Sequence, residues 1–219
     1  MPRTRNPEIG RQLLETAARI LAEEGEAAVT ARRLGAEVGA STMAVYTNFG
    51  GMDELLLQVW RDGFVRFGAA LDEPPASDDP IADFAQQGWG YRRFALENRH
   101  LYRVMFGDAL VPFRFDDPAD QLLAQGTFQS LLTRLRRAAQ LGRLQVDDVE
   151  LAGQVVWSTV HGHMAIELTG YFEARGQDPV PIYEECLRRL ALAFGDQPDG
   201  LARSLATART RTRRALSRR

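Results

Sequence analysis

The chain has 219 residues, 45% hydrophobic and 26% charged, the balance of a globular protein with a sizeable core, which excludes wholesale disorder. No run of about 18 apolar residues is present, so no membrane-spanning helix is expected, and the basic start Met1–Arg5 leads into a charged amphipathic segment, unlike a secretory signal. The net charge of −2 is uneven: the segment from Asp199 carries seven arginines against one acid, leaving −8 on residues 1–198, so charge alone does not exclude a nucleic-acid partner.

From Pro7 to Glu24 the residues Ile9, Leu13, Ala17, Ile20 and Leu21 recur at three- and four-residue spacing, which predicts an amphipathic helix, and Gly25 supplies a stop. Two short helices follow, at 31–38 and 42–48. Thr30 is placed to cap the first, with Val29 in register to staple onto Leu34, and Ser41 to cap the second. Gly39, between them, is free to take a positive φ. Helices this short are not stable alone in water. They are expected to pack as a pair on 7–24, the build of a helix-turn-helix unit, although the spacing alone also fits an ordinary helical hairpin.

A longer helix is predicted over 53–71, with Leu55, Leu56, Val59, Trp60, Phe64 and Phe67 as its apolar set. Residues 72–80 (DEPPASDDP), with three prolines and four acids, break the run. Further helices are expected at 81–98, 100–106, 119–140, 147–173 and 180–195. The stretch 107–118 reads as a loop holding Leu110, Val111, Phe113 and Phe115, and 196–219 as a frayed helix or a disordered arm. No period-two alternation bounded by turn residues occurs, so the expected fold class is all-α.

In a helix-turn-helix unit the second helix enters the major groove. Its outward positions here are Thr42, Met43, Ala44, Thr47 and Asn48. The Thr and Ala methyls suit thymine methyls, and Asn48 suits adenine. Ser41 and the Tyr46 hydroxyl are placed for phosphate oxygens, and Arg32, Arg33, Arg3 and Arg5 for the backbone. Thr30 completes this set.

The string V-T-x-x-x-L-x-x-x-V-G-A-S-x-x-x-V-Y-x-x-F-x-x-x-x-E-L-L, from Val29 to Leu56, resembles the signature of the TetR family, over about residues 8–60. The resemblance implies an all-helical homodimer whose N-terminal domains read a palindromic operator and whose C-terminal domain binds a small molecule that releases DNA. One residue departs from the pattern. Family members usually carry lysine just after the Phe49 turn, and this chain has Met52. Two further strings, Tyr102–Gly107 (YRVMFG) and Trp157–Gly162 (WSTVHG), resemble the TetR subgroup named for a Trp-His-Gly motif.

Within 147–173 one face reads Leu151, Val155, Ser158, Gly162 and Ile166, and another is apolar as well, the pattern of a helix between its own core and a partner. With Tyr183, Leu187, Leu190 and Phe194 of the next helix these residues form the expected dimer interface. The aromatic supply, Trp89, Tyr91, Phe94, Phe106, Phe113, Phe128, Trp157 and Tyr171, reads either as core or as the wall of an apolar effector cavity, with His161 and Met164 beside it.

No catalytic constellation, cofactor or metal is expected. His161 and His163 lie two apart on a helix, so they face different ways, and Cys186, the single cysteine, has no ligand companion. One cysteine also fits a reducing cytoplasm. The organisation expected is a DNA-binding domain over 1–52, an effector-binding and dimerisation domain over 53–198 and an Arg-rich tail over 199–219. The function expected is that of a ligand-responsive repressor. The rivals are a non-specific architectural DNA-binding protein working through the Arg tail, and a helical ligand-binding protein without operator binding.

Overall fold

Asn6 begins the first helix by chemistry that needs no tertiary help. Its side-chain oxygen accepts from the Glu8 and Ile9 amides (3.0 and 3.3 Å), and Pro7 at the first turn forgoes an N–H that would have no partner. In the computed structural model, which describes residues 6–73, 75–107 and 117–216, with side chains through Thr212, this opens α1 (Pro7–Glu24). Among the described residues nine more α-helices follow: α2 (Ala31–Glu37), α3 (Met43–Phe49), α4 (Met52–Asp72), α5 (Pro80–Glu97), α6 (Arg99–Phe106), α7 (Pro118–Gln140), α8 (Val149–Leu168), α9 (Pro179–Ala193) and α10 (Pro198–Leu216). There is no strand among the described residues, and the all-α fold stands. No described helix is long and apolar enough to cross a membrane.

The chain forms two compact units. The first takes residues through Arg66 together with 98–124. Here α1 buries Leu13, Ala17, Ile20 and Leu21 and packs on α2, α3 and α6. Trp60, Phe64, Phe106 and Tyr102 form a ring cluster with neighbouring centroids 4.4–5.6 Å apart. Arg61 clamps the buried Asp120 carboxylate with two bonds (2.6 and 2.9 Å), joining α4 to the start of α7.

The second unit takes 67–97 and 125–219. Its core includes Phe67, Phe84, Leu132, Leu135, Val156, Val160, Met164, Tyr183 and Leu187. α8 ends at Leu168, a turn short of the expected 173, and a 3-10 turn (Glu173–Arg175) follows. Of the two readings of 196–219, a frayed helix or a disordered arm, the structure has a helix, α10, and it is packed along α5. Ala208 meets Ala82 and Ala85 in a fully buried cluster, small side chains that let the two helices approach closely. Ser204 bonds Asp79 (2.9 Å), and Arg211 bonds Ser77 and Asp83 (2.8 and 3.3 Å). Tail arginines read as a free basic arm are thus partly spent on acids of the same chain.

Candidate functional site

The short helices α2 and α3 are held by their inward residues. Leu34 and Val45 are fully buried, Thr30 Oγ1 caps α2 by accepting from the Arg33 amide (3.2 Å), and Gly39 takes a φ of +68° in the turn between them. Ser41 does not cap α3. The cap position falls on Thr42, without a side-chain bond, and Ser41 contributes its carbonyl to the Ala44 amide (2.8 Å). The turn continues one residue further than expected, because a helical Thr42 already satisfies the first amides through backbone carbonyls.

On the outer surface Ser41, Thr42, Met43 and Tyr46 are exposed, and Ala44 and Thr47 are half-buried. Asn48 is not presented with them. Its Nδ2 donates to the Ala44 carbonyl (2.8 Å), and its side chain packs against α1 beside Gly10. Arg32 is exposed, whereas Arg33 is tied to Glu24 (2.6 and 2.8 Å) and Glu37 (3.1 Å). The hydrogen bonds that Arg33 donates to Glu24 and Glu37 raise its pKa further, so its charge is fixed and already partnered. Arg3 and Arg5 lie outside the described residues. α3 carries no basic side chain, and α4 opens on Met52 followed by Asp53 and Glu54. Two carboxylates at a helix N-terminus are favourable to the helix but compete with a phosphate for the same amides.

The second unit holds a partly open cavity of about 50 Å³. Its walls are Phe67 and Leu71 of α4, Phe84, Gln87, Gly88 and Tyr91 of α5, Thr127, Phe128 and Leu131 of α7, Val156, Trp157 and Val160 of α8, and Leu187 of α9. The Tyr91 hydroxyl bonds His161 Nδ1 (3.0 Å), and Trp157 stacks on the same imidazole at 5.0 Å. Burial holds His161 below the ordinary histidine pKa, so at neutral pH it is an uncharged partner.

Of the residues read from the sequence as cavity candidates, Tyr91, Phe128 and Trp157 line the cavity, and His161 stands behind Tyr91. Phe94 packs on Phe67 (5.1 Å), Trp89 on Tyr183 (5.3 Å), and Met164 is fully buried away from the lining. Phe106 belongs to the first unit, against Phe64, and Phe113 lies outside the described residues. Sequence reasoning missed Phe67, Leu71, Phe84, Gln87, Gly88, Thr127, Leu131, Val156, Val160 and Leu187. The pairs Phe67/Leu71 and Val156/Val160, each four apart, carried a helical-face signal that aromatic counting overlooked.

On α8, Leu151, Val155 and Ile166 are 57, 44 and 45% exposed, with Ser158 on the same side and Gly162 half-buried. This is an uncovered apolar stripe. The α9 residues assigned to the same interface do not join it: Tyr183, Leu187 and Leu190 are buried in their own unit, Tyr183 donating to the Gly88 carbonyl (2.5 Å), and Phe194 is half-buried. Their heptad-like spacing marked burial and left its side undecided.

Two models of known families match the chain. Bacterial regulatory proteins of the tetR family match over residues 13–59, and a tetracyclin repressor-like C-terminal domain matches over 84–190. The chain belongs to the TetR family. It is accordingly a DNA-binding transcriptional regulator, and members of the family bind operator DNA, dimerise and take small-molecule effectors.

Solved structures share the TetR fold at low identity. A protein of unknown function from Rhodococcus sp. RHA1 is 23% identical, with 86% of this chain and 96% of that one covered at a TM-score of 0.72. The TetR family regulator PfmR from Thermus thermophilus is 24% identical, covering 70 and 85% at 0.63. RolR in complex with resorcinol is 21% identical, covering 92 and 93% at 0.55. No curated protein matches the chain in sequence. The matched C-terminal model bears the general tetracyclin repressor-like description, and the Trp-His-Gly subgroup rests on its two short strings alone.

Proposed function

We propose that this TetR-family regulator is a homodimeric repressor, acting in the cytoplasm without catalytic activity, that leaves a palindromic operator when a small apolar or aromatic effector fills the cavity of the second unit. The observation that carries the reading is α4. One continuous helix supplies buried Leu55, Leu56 and Val59 to the first unit, and Phe67 and Leu71 to the cavity wall of the second. An effector that displaces Phe67 or Leu71 therefore acts on the helix that begins where the reader ends.

Residues 1–52 act as the DNA-binding domain and 53–198 as the effector-binding and dimerisation domain, with the Arg-rich segment from 199 packed as α10 against α5 of the second unit. Thr42, Met43, Ala44 and Thr47 face base edges, while Ser41, Tyr46 and Arg32 meet phosphates. The α8 stripe of Leu151, Val155, Ser158 and Ile166 pairs two copies. RolR holds resorcinol, and an aromatic effector for this chain is proposed by analogy. Fluorescence anisotropy on a self-palindromic fragment from upstream of the gene tests the whole reading. Binding to that fragment should exceed binding to scrambled DNA by at least about a thousandfold, and binding indifferent to sequence refutes the repressor.

A further inference from the structure

Gln87 is a lining residue of the cavity, 3% exposed, and the two ends of its carboxamide are not alike. Nε2 donates to Ser130 Oγ (2.8 Å), and Ser130 Oγ in turn donates to Asp72 Oδ1 (2.5 Å). A hydroxyl has one proton. Ser130 gives its proton to the carboxylate and so must accept from Gln87, which fixes the amide with nitrogen towards Ser130 and oxygen at the other end. That oxygen, Oε1, is buried and has no hydrogen-bond partner among the described residues.

A buried acceptor with no protein partner behaves differently from an exposed one. A ligand donor that reaches it gains a bond with little protein desolvation left to offset the gain, whereas a purely apolar ligand leaves the acceptor unpaired. The rest of the lining carries no charged side chain, and Phe84, Tyr91, Phe128 and Trp157 give it flat walls. An anion would meet an acceptor oxygen with no cation beside it.

We infer that the cavity selects a neutral, flat, apolar molecule bearing one hydrogen-bond donor, a hydroxyl or an N–H, which Gln87 Oε1 accepts. This rests on the reading of the cavity as the effector site. Calorimetric titration of the full chain with phenol and with toluene tests it. The phenol-to-toluene affinity ratio should be about 10- to 100-fold higher in the wild type than in Gln87→Leu, the range expected for one bond to a buried acceptor, with toluene binding retained. Comparing ratios cancels the different hydration of the two probes. Gln87→Met, closer in shape, should repeat the result and serves if the leucine variant does not fold.

Val160→Trp, which fills the cavity, separates the two readings. If both probes bind, Val160→Trp abolishes both, and the ratio is the same with and without Gln87, the cavity stands and the donor inference falls. If neither probe binds the wild type, or Val160→Trp leaves both affinities unchanged, the cavity reading fails and the inference falls with it.

Discussion

Arg92 and Glu167 form an ion pair deep in the second unit, their side chains 14 and 3% exposed. Arg92 Nε donates to Glu167 Oε2 (2.9 Å), and a second guanidinium nitrogen bonds Oε1. His163 Nε2 lies 3.2 Å from the same Oε2, its ring stacked on Phe172 and tilted against Tyr183. Arg92→Met keeps a long side chain and strands the carboxylate. Removing one partner of a buried pair costs about 3–5 kcal/mol, a large share of the roughly 5–15 kcal/mol that hold a domain. The exposed Arg11–Glu8 pair offers the contrast: Arg11→Met should leave stability almost unchanged.

The cost of Arg92→Met should also depend on pH. Burial holds His163 below its ordinary pKa, Glu167 opposes that shift and Arg92 adds to it. A base depressed in the folded state binds fewer protons there than when unfolded, so the wild type loses stability as pH falls through about 6.5 and below. Without Arg92 the His163 pKa rises, and the imidazolium becomes the carboxylate's partner. Urea denaturation followed by tryptophan fluorescence should therefore show a cost that shrinks between about pH 7.5 and about pH 5.5. Arg92→Met with Glu167→Leu should recover most of the loss. A loss under about 1 kcal/mol at neutral pH, or one that grows on acidification, would refute the reasoning.

Arg32→Ala should weaken operator binding and lower the slope of log affinity against log salt by about 1, while Arg33→Ala, whose charge is already held by Glu24 and Glu37, should change that slope little; anisotropy titrations across salt concentrations check both. Val155→Glu puts a charge in the middle of the exposed α8 stripe and should shift sedimentation from dimer to monomer, with far-UV circular dichroism unchanged.

The helices were legible because each carries a strong local signal. The Thr30 cap, the three- and four-residue apolar spacing of α1 and the glycine at 39 all act over a few residues, and the observed helix ends fall within a residue or two of the expected ones except at α8. Which way a helical face points was not legible. Tyr183, Leu187 and Leu190 have the spacing of an interface and of a core alike, and only the Gly88 carbonyl waiting for the Tyr183 hydroxyl decides between them. Asn48 failed for a related reason: the helical wheel places it outward, yet the Ala44 carbonyl one turn back satisfies its amide locally. The tail misled through composition, since arginine reads as a solvated arm until Asp83, Ser77 and Glu184 are brought beside it by packing. Gln87 could not be seen at all, because its meaning lies in Ser130 and Asp72, both distant in sequence.

The cavity itself decides how an effector is felt. Its volume of about 50 Å³ is a third of the roughly 150 Å³ that holds a benzene ring in a dry protein cavity. A ring seated wholly within it must therefore part the walls, and the wall that yields determines whether α4 moves. Gly90 of α5 sits against that helix so closely that a Cβ there would lie 2.3 Å from the Ala70 carbonyl oxygen, between Phe67 and Leu71. Ordinary contacts begin near 3.5 Å, so Gly90→Ala must drive the end of α4 from α5 by about an ångström. The clash is with backbone and cannot be relieved by a rotamer. Its cost of about 1–3 kcal/mol offsets or exceeds the roughly 1 kcal/mol that alanine gains over glycine in a helix. If parting α4 from α5 is what releases DNA, Gly90→Ala imitates the effector: operator affinity should fall at least about tenfold, the size of a typical coupling between sites, and added effector should change little more. Gly68→Ala is the control, since its Cβ would meet only Thr127 Cγ2 at 3.8 Å. A folded Gly90→Ala protein that binds operator as the wild type does, with its full effector response, would show that the yielding wall lies elsewhere. Trp157, 40% exposed on α8, would then be the side chain that swings aside, and occupancy of the cavity would not move α4 at all.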